Sequence, residues 1–325
     1  MITGIAFVVP DHKVDVEEVS KWTDSDPQFI RDKVGIESRY FLREEEAPSA
    51  LAAKAVFSLQ EKVRFNNGDI DFLILVTQTP DYSIPHMSAQ VQDLCNLPQS
   101  IMAFDVSLGC SGYVYALSIA KGLLSSVHSK GLIVTCDPYS KVMARDDKAT
   151  VTVFGDGASC SLVTADNLES ICEFDFGTDG SGGDKLILKH GAGKQPMSSI
   201  WSQSSEIDSE DTKLYMHGRS ILNFMLERVP VSVNACLEKN NLSTEDIDYF
   251  VFHQASKYML ELLSKRMRLE PERVPIRLQN TGNTVSSTIP YCLECLDNEG
   301  TLKGKKVLLS GFGVGLSWAT TVINF

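Results

Sequence analysis

The chain has 325 residues, 43% hydrophobic and 22% charged, which excludes a disordered polypeptide and suits one large domain or two fused half-domains. Thirty Lys and Arg against forty-two Asp and Glu leave a formal net charge of −12, the opposite of the basic face a nucleic-acid binder needs. No run approaches about 18 uninterrupted apolar residues, so no membrane-spanning helix is expected. Met1 to Ile5 carry neither the basic start nor the small-residue cleavage site of a signal peptide, and the expected location is the cytoplasm.

The first clear element follows Asp69-Ile70-Asp71, where Phe72-Leu73-Ile74-Leu75-Val76 reads as a buried strand. A helix (86–96), a strand (101–106), a helix (111–126) and strands at 131–136 and 158–164 come next. Segment 177–214, rich in Gly, Ser and Asp, breaks this rhythm and is expected to form surface loops. A helix over 217–240, with a kink expected at Pro230, opens the second part. There Asp246-Ile247-Asp248 enters the apolar run Tyr249-Phe250-Val251-Phe252, and the order of elements repeats. It gives a helix (256–268), a short strand (274–278), a helix (286–298) and strands at 306–310 and 316–324. Strands alternating with helices, each round closed by a strand hairpin, predict mostly parallel sheets with helices on their faces. The expectation is a duplicated α/β fold in five layers, α-β-α-β-α, with halves at 1–170 and 171–325.

Eight cysteines lie scattered in apolar settings, as suits a reducing compartment. Cys292-Leu-Glu-Cys295 has no second pair, and a zinc site needs about four ligands, so it reads as two cysteines on one helix face. Cys110 is different. Its context, Phe104 to Tyr113, is strand, tight turn and helix start, where the unpaired amides and positive end of the helix favour a thiolate. Amides at such a turn also hold an oxyanion. His253 directly follows strand 249–252, at the carboxyl end where α/β proteins place their sites. Asn283 lies in Asn280-Thr281-Gly282-Asn283-Thr284, by itself an ordinary capped turn. The repeat relates the three residues. Cys110 follows the third element of the first half, Asn283 the third of the second half, and His253 its first strand. Halves packed about a pseudo-dyad bring them together. Gly311-Phe312-Gly313-Val314-Gly315 precedes a strand, so it is no dinucleotide fingerprint, but an amide from it is placed to complete an oxyanion hole.

Cys, His and Asn leave two chemistries open. In a cysteine hydrolase the His deprotonates the Cys and the Asn orients the His. In a thioester condensing enzyme the Cys carries an acyl group, while His and Asn stabilise the enolate formed by decarboxylation of a second thioester. A non-catalytic partner subunit is a further class, against which the retained Cys110, His253 and Asn283 argue.

At these residues the sequence resembles the β-ketoacyl-acyl carrier protein synthase III family of the thiolase superfamily. The resemblance also rests on Gly35-Ile36 with Arg39, Phe154-Gly155-Asp156-Gly157-Ala158, Tyr215-Met216-x-Gly218-Arg219, His253-Gln254-Ala255 and the final Gly-rich loop. It implies a thiolase fold, a homodimer, a Cys110–His253–Asn283 triad, and a ping-pong Claisen condensation with release of carbon dioxide. By position, the amides of Cys110 and Val314 form the oxyanion hole. No permanently bound cofactor is implied; acyl thioesters and a malonyl thioester, on coenzyme A or acyl carrier protein, are the substrates. The family's adenine-stacking Trp falls at Phe29 and its paired arginines at Lys33 and Lys148, with Gly218 also in the substrate-binding set. The Phe that reaches into the acyl pocket across the dimer falls at Ile84. Ser256 replaces the usual Asn after His-Gln-Ala, and Tyr258 a carrier-docking Arg. These departures leave the donor and acyl chain open, and the alternative is an acyltransferase of a specialised-metabolite pathway serving an oxygen or nitrogen nucleophile. An acidic carrier protein needs a local basic patch, and Lys257, Lys265 and Arg268, on the helix after His253, are the candidates.

Overall fold

All five residues of the apolar run Phe72–Val76 are buried, and this strand lies inside a five-stranded sheet. The order is Ile2–Val8, Ala158–Thr164, Lys130–Cys136, Phe72–Val76, Met102–Val106. Its pairings with Lys130–Cys136 and Met102–Val106 are parallel, and Ala158–Thr164 runs antiparallel between Ile2–Val8 and Lys130–Cys136. The computed structural model describes residues 1–126, 128–196 and 212–325.

The second sheet repeats the plan with one strand fewer: Tyr249–Phe252, Lys306–Gly313, Ser317–Asn324, Ile171–Thr178. Tyr249–Phe252 is parallel to Lys306–Gly313, and the closing pair Lys306–Gly313/Ser317–Asn324 is an antiparallel hairpin. Each round closes in an antiparallel strand pair as the sequence predicts, but the expected mostly parallel sheets do not form. Among the described residues three of the seven pairings in these two sheets are parallel and four antiparallel, because Ile2–Val8 and Ile171–Thr178 add antiparallel edges.

Helix Gly112–Leu124 is apolar on most of its surface, burying Tyr113, Val114, Ala116, Leu117 and Ala120, so it needs cover on two sides. It packs between the sheets, touching Phe72–Val76 and Lys130–Cys136 on one side and Lys306–Gly313 and Ser317–Asn324 on the other. Thr288–Asn298 shares this middle layer, against Ile2–Val8, Ala158–Thr164 and Tyr249–Phe252. Pro48–Lys62 and Met87–Leu94 cover the outer face of the first sheet, and Gly218–Lys239 with Lys257–Met267 covers the second. The five layers are those of a thiolase fold.

The differences from expectation are instructive. Segment 274–278 forms no strand. Pro275 has no N–H to give a ladder, and the Gln254 side chain takes the place of a neighbouring backbone. Its Nε2 donates to Pro275 O at 3.3 Å and its Oε1 accepts from Arg277 N at 2.9 Å. Strands Ile2–Val8 and Ile171–Thr178, the antiparallel pair His12–Asp15/Ser38–Phe41 and helix Pro48–Lys62 were not expected. Helix Gly218–Lys239 continues through Pro230. Part of the expected loop segment 177–214 forms the small ribbon Leu186–Ile187/Tyr215–Met216, and 197–211 lies outside the described residues. Among the described residues no helix is long and apolar enough to cross a membrane.

Candidate active site

Strand Met102–Val106 ends in a turn closed by Gly112 N donating to Gly109 O at 2.8 Å. This turn seats Cys110 two residues before the interior helix with 4% of its surface exposed. The glycine loop of the second half lies directly on it. A Cβ on Gly313 would come within 2.9 Å of Cys110 Sγ, so only glycine lets that strand approach the thiol.

Burial pushes the Cys110 thiol up to about 12, and the Asp137 charge pushes the same way. The backbone amides of Cys110 and Val314 favour the thiolate but lose to these two effects. The helix start therefore does not, as the sequence suggests, yield a resting thiolate. It supplies donors around a neutral thiol.

His253 continues strand Tyr249–Phe252 and keeps the ladder going, its N–H donating to Ser310 O at 2.9 Å. Its ring stands edge-on to Phe312, centroids 5.6 Å apart. Phe312 precedes the Gly313–Val314 pair that covers Cys110, so one strand touches both the histidine and the cysteine. Nδ1 lies 2.7 Å from Thr288 Oγ1 and Nε2 lies 3.4 Å from Asn283 Nδ2. Burial lowers the imidazole to about 3, so it is neutral at any ordinary pH.

Asn283 sits on a turn that Gly282 makes possible at φ +69°. Its N–H donates to Val153 O and its carbonyl accepts from Gly155 N, both at 3.0 Å, so the Phe154-Gly155 motif of the first half clamps it. Asn283 Oδ1 accepts from Val285 N at 2.9 Å, which turns Nδ2 towards His253. Val285, a β-branched residue at φ +55°, holds a conformation such side chains rarely adopt.

Phe312, Gln254 and Phe154-Gly155 stood in sequence motifs without a stated role, and Thr288 and Val153 are site parts that sequence reasoning did not single out. So is a buried polar group behind Cys110, where Asp137 accepts from Gln78 N at 2.6 Å and Tyr139 OH donates to Gln78 Oε1 at 2.8 Å. A cleft of about 1030 Å³ reaches this region, with Tyr139 and Val314 in its wall.

The other expected residues lie further out. Phe29 is 56% exposed. Lys33 Nζ sits 5.9 Å from the centre of the Tyr258 ring, and Lys148 Nζ donates to Asp24 O at 3.0 Å. The Lys257 stem packs against Gly35, so the start of helix Lys257–Met267 and the segment of Phe29 and Lys33 border one area. Lys257 also pairs with Glu261 at 3.8 Å. Lys265 is exposed near the far end, and Arg268 is the left-handed cap beyond Met267 rather than part of the helix, so its helical angle to Lys257 does not hold. Gly218 opens helix Gly218–Lys239 and faces open space. Ile84 is 87% exposed.

Two family descriptions match: 3-oxoacyl-[acyl-carrier-protein (ACP)] synthase III over residues 104–180 and its C-terminal part over residues 237–325. The chain is 34% identical over 328 residues to a β-ketoacyl-[acyl-carrier-protein] synthase III of Lactococcus lactis subsp. lactis, covering 99% of this chain and 98% of that protein. It is 33% identical to one from Clostridioides difficile, at 100% and 98% coverage. A crystal structure of a 3-oxoacyl-(acyl-carrier-protein) synthase III superposes with TM-score 0.94 at 38% identity, covering 100% of this chain and 99% of that one. One from Thermus thermophilus gives 0.88 at 29% identity, at 100% and 98% coverage.

Proposed function

Since the chain belongs to the β-ketoacyl-[acyl-carrier-protein] synthase III family and is an acyl-transferring condensing enzyme, we propose that Cys110 carries the acyl group and that His253 and Asn283 act on the second substrate. In the first half-reaction Cys110 sulfur attacks the donor thioester carbonyl. The amides of Cys110 and Val314 hold the oxyanion, the donor thiol leaves with a proton, and an acyl-cysteine remains. In the second, a malonyl thioester loses carbon dioxide, and the electrons of the broken C–C bond form an enolate. Its carbon attacks the acyl-cysteine and expels Cys110.

The observation that carries this reading is the committed Asn283 amide. With Oδ1 taken by Val285 N–H, Nδ2 is free to donate at the position beside His253 Nε2. In the tautomer with the imidazole proton on Nε2, where Thr288 Oγ1 donates to Nδ1 rather than to Val285 O at 3.1 Å, two neutral donors face one oxygen. That suits an enolate and not general-base work, since an imidazole lowered to about 3 is a weak base.

Around this centre we assign Phe29, Lys33, Lys148 and Gly218 to the donor's nucleotide or pantetheine arm, and Lys257, Lys265 and Arg268 to an acyl carrier protein. A homodimer is supported by the open edge strand Met102–Val106 with Tyr82, Ile84, Leu94 and Met102 exposed near it. Ile84 then reaches the partner's acyl pocket. The free cysteines suit the cytoplasm.

Intact-mass analysis with a panel of acyl thioesters, followed by a malonyl thioester, tests the reading. A single acyl adduct on wild type, none on Cys110→Ala, and conversion to a β-ketoacyl product with carbon dioxide are expected. Release of free acid indicates a hydrolase, and an ester or amide product the acyltransferase alternative.

A further inference from the structure

Asp137 is fully buried, carries no partner of opposite charge among the described residues, and has no part in the steps above. It lies between the two turns that matter. On one side it accepts from Gln78 N, and the Gln78 side chain backs Gly109, where a Cβ would sit 2.6 Å from Gln78 Oε1. On the other it accepts from the Ser286 hydroxyl and backbone, next to Val285, whose N–H fixes Asn283. Ser287 reinforces the same seam by bonding Thr135 Oγ1 at 2.7 Å.

We propose that Asp137 is a positioning residue: it pins the Asn283-bearing turn of the second half to the Cys110-bearing half, and so sets the decarboxylation step. A merely structural anchor could be apolar. A buried carboxylate is costly unless its acceptor capacity is used, and here each oxygen meets donors from a different half. The titratable groups that feel its charge are Cys110, Cys136 and Tyr139, each raised by it. The inference rests on the assignment of Asn283 to the enolate step.

The test compares Asp137→Asn, Ser286→Ala and Asn283→Ala in three readouts: acyl loading by intact mass, carbon dioxide release from a malonyl thioester, and the pH dependence of Cys110 alkylation by iodoacetamide. Asp137→Asn keeps an acceptor for Gln78 N–H but presents a donor to Ser286. It should cut decarboxylation about 10- to 100-fold, as for a misplaced catalytic group, with loading little changed. Its alkylation curve should move down by about one pH unit, because a negative neighbour is gone. Ser286→Ala should give a smaller decarboxylation loss and leave the curve in place. An unchanged ratio of the two half-rates in Asp137→Asn, or an unmoved alkylation curve, overturns the inference. If Asn283→Ala itself retains decarboxylation, the enolate assignment fails instead.

Discussion

In the first half, the edge of the sheet is backbone: Met102–Val106 pairs with Phe72–Val76 over five positions and then turns into Cys110. In the second half, the corresponding segment 274–278 has no ladder, and a side chain, Gln254, bonds its backbone instead. The turn that follows carries Asn283, which is tied to Val153 and Gly155 of the other half. The nucleophile thus rests on its own sheet, whereas the amide donor depends on side-chain bonds and on contacts across the pseudo-dyad. Acyl loading should tolerate changes at the seam that decarboxylation does not.

Gln254→Ala removes the bracket and should have the largest effect among changes outside the reacting groups. Losing its hydrogen bonds to Pro275 O, Arg277 N and, at 2.7 Å, Phe252 O, with Arg277 N–H left unpaired, costs about 2–4 kcal/mol. The unfolding midpoint should fall by several degrees and decarboxylation should drop more than loading. Gln254→Glu, whose second carboxylate oxygen would face the Phe252 and Pro275 carbonyls with no donor, should cost at least as much; equal stability of all three proteins would remove Gln254 from the comparison.

A smaller effect is expected at the donor mouth. Phe29 is a smaller stacking face than Trp, and lysines at 33 and 148 lack the planar fork that grips phosphate. Stacking of a base on an aromatic ring is worth roughly 1–3 kcal/mol. Coenzyme A thioesters should therefore load Cys110 no better than the same acyl group on carrier protein. Phe29→Trp/Lys33→Arg/Lys148→Arg should speed loading from coenzyme A by roughly tenfold, which is about 1.4 kcal/mol. A strong wild-type preference for coenzyme A, unchanged in the variant, contradicts this.

The smallest effect is one of pH. With His253 lowered from 6.5 to about 3 by burial, the enolate donors keep their protonation state across the physiological range. Decarboxylation rates of Asp137→Asn, which lacks the carboxyl that titrates near 7, should show no limb near 6.5 between pH 7.5 and 5. The stability owed to this neutral imidazole is fully present above 6.5 and lost as pH falls towards 3. Asp137 and Asp156, raised by burial to about 7 and 6, act oppositely, favouring the fold at low pH and less as pH rises. A limb near 6.5 that persists in a still-folded Asp137→Asn enzyme and disappears on further replacement of His253 would mean that His253 titrates there, whereas one lost in Asp137→Asn alone belongs to Asp137.

The layer order and the repeat were legible because the leading strand of each half, Phe72–Val76 and Tyr249–Phe252, is an unbroken apolar run, whereas Ile2–Val8 and Ile171–Thr178, interrupted by polar residues and glycine, were missed. Cys110, His253 and Asn283 were legible because they stand at strand ends and glycine turns. What holds them was not. Thr288 meets His253 across 35 positions and Ser286 meets Asp137 across 149, and no local pattern encodes such a pairing. Segment 274–278 reads as a strand from its apolar residues, and only the fold shows that the Gln254 amide bonds its backbone. The thiol at a helix start looks activated in sequence, where the desolvation that reverses the balance is invisible.

The proposed mechanism divides the two half-reactions between Cys110 on one side and His253 with Asn283 on the other. The most direct measurement takes Asn283→Ala and His253→Ala and determines, in the same preparation, the rate of Cys110 acylation and the rate of carbon dioxide release from a malonyl thioester. Loss of preorganised oxyanion donors predicts a fall of about 100- to 1,000-fold in decarboxylation with acylation little changed. Equal losses in both rates would contradict it and return His253 to the role of a general base for Cys110.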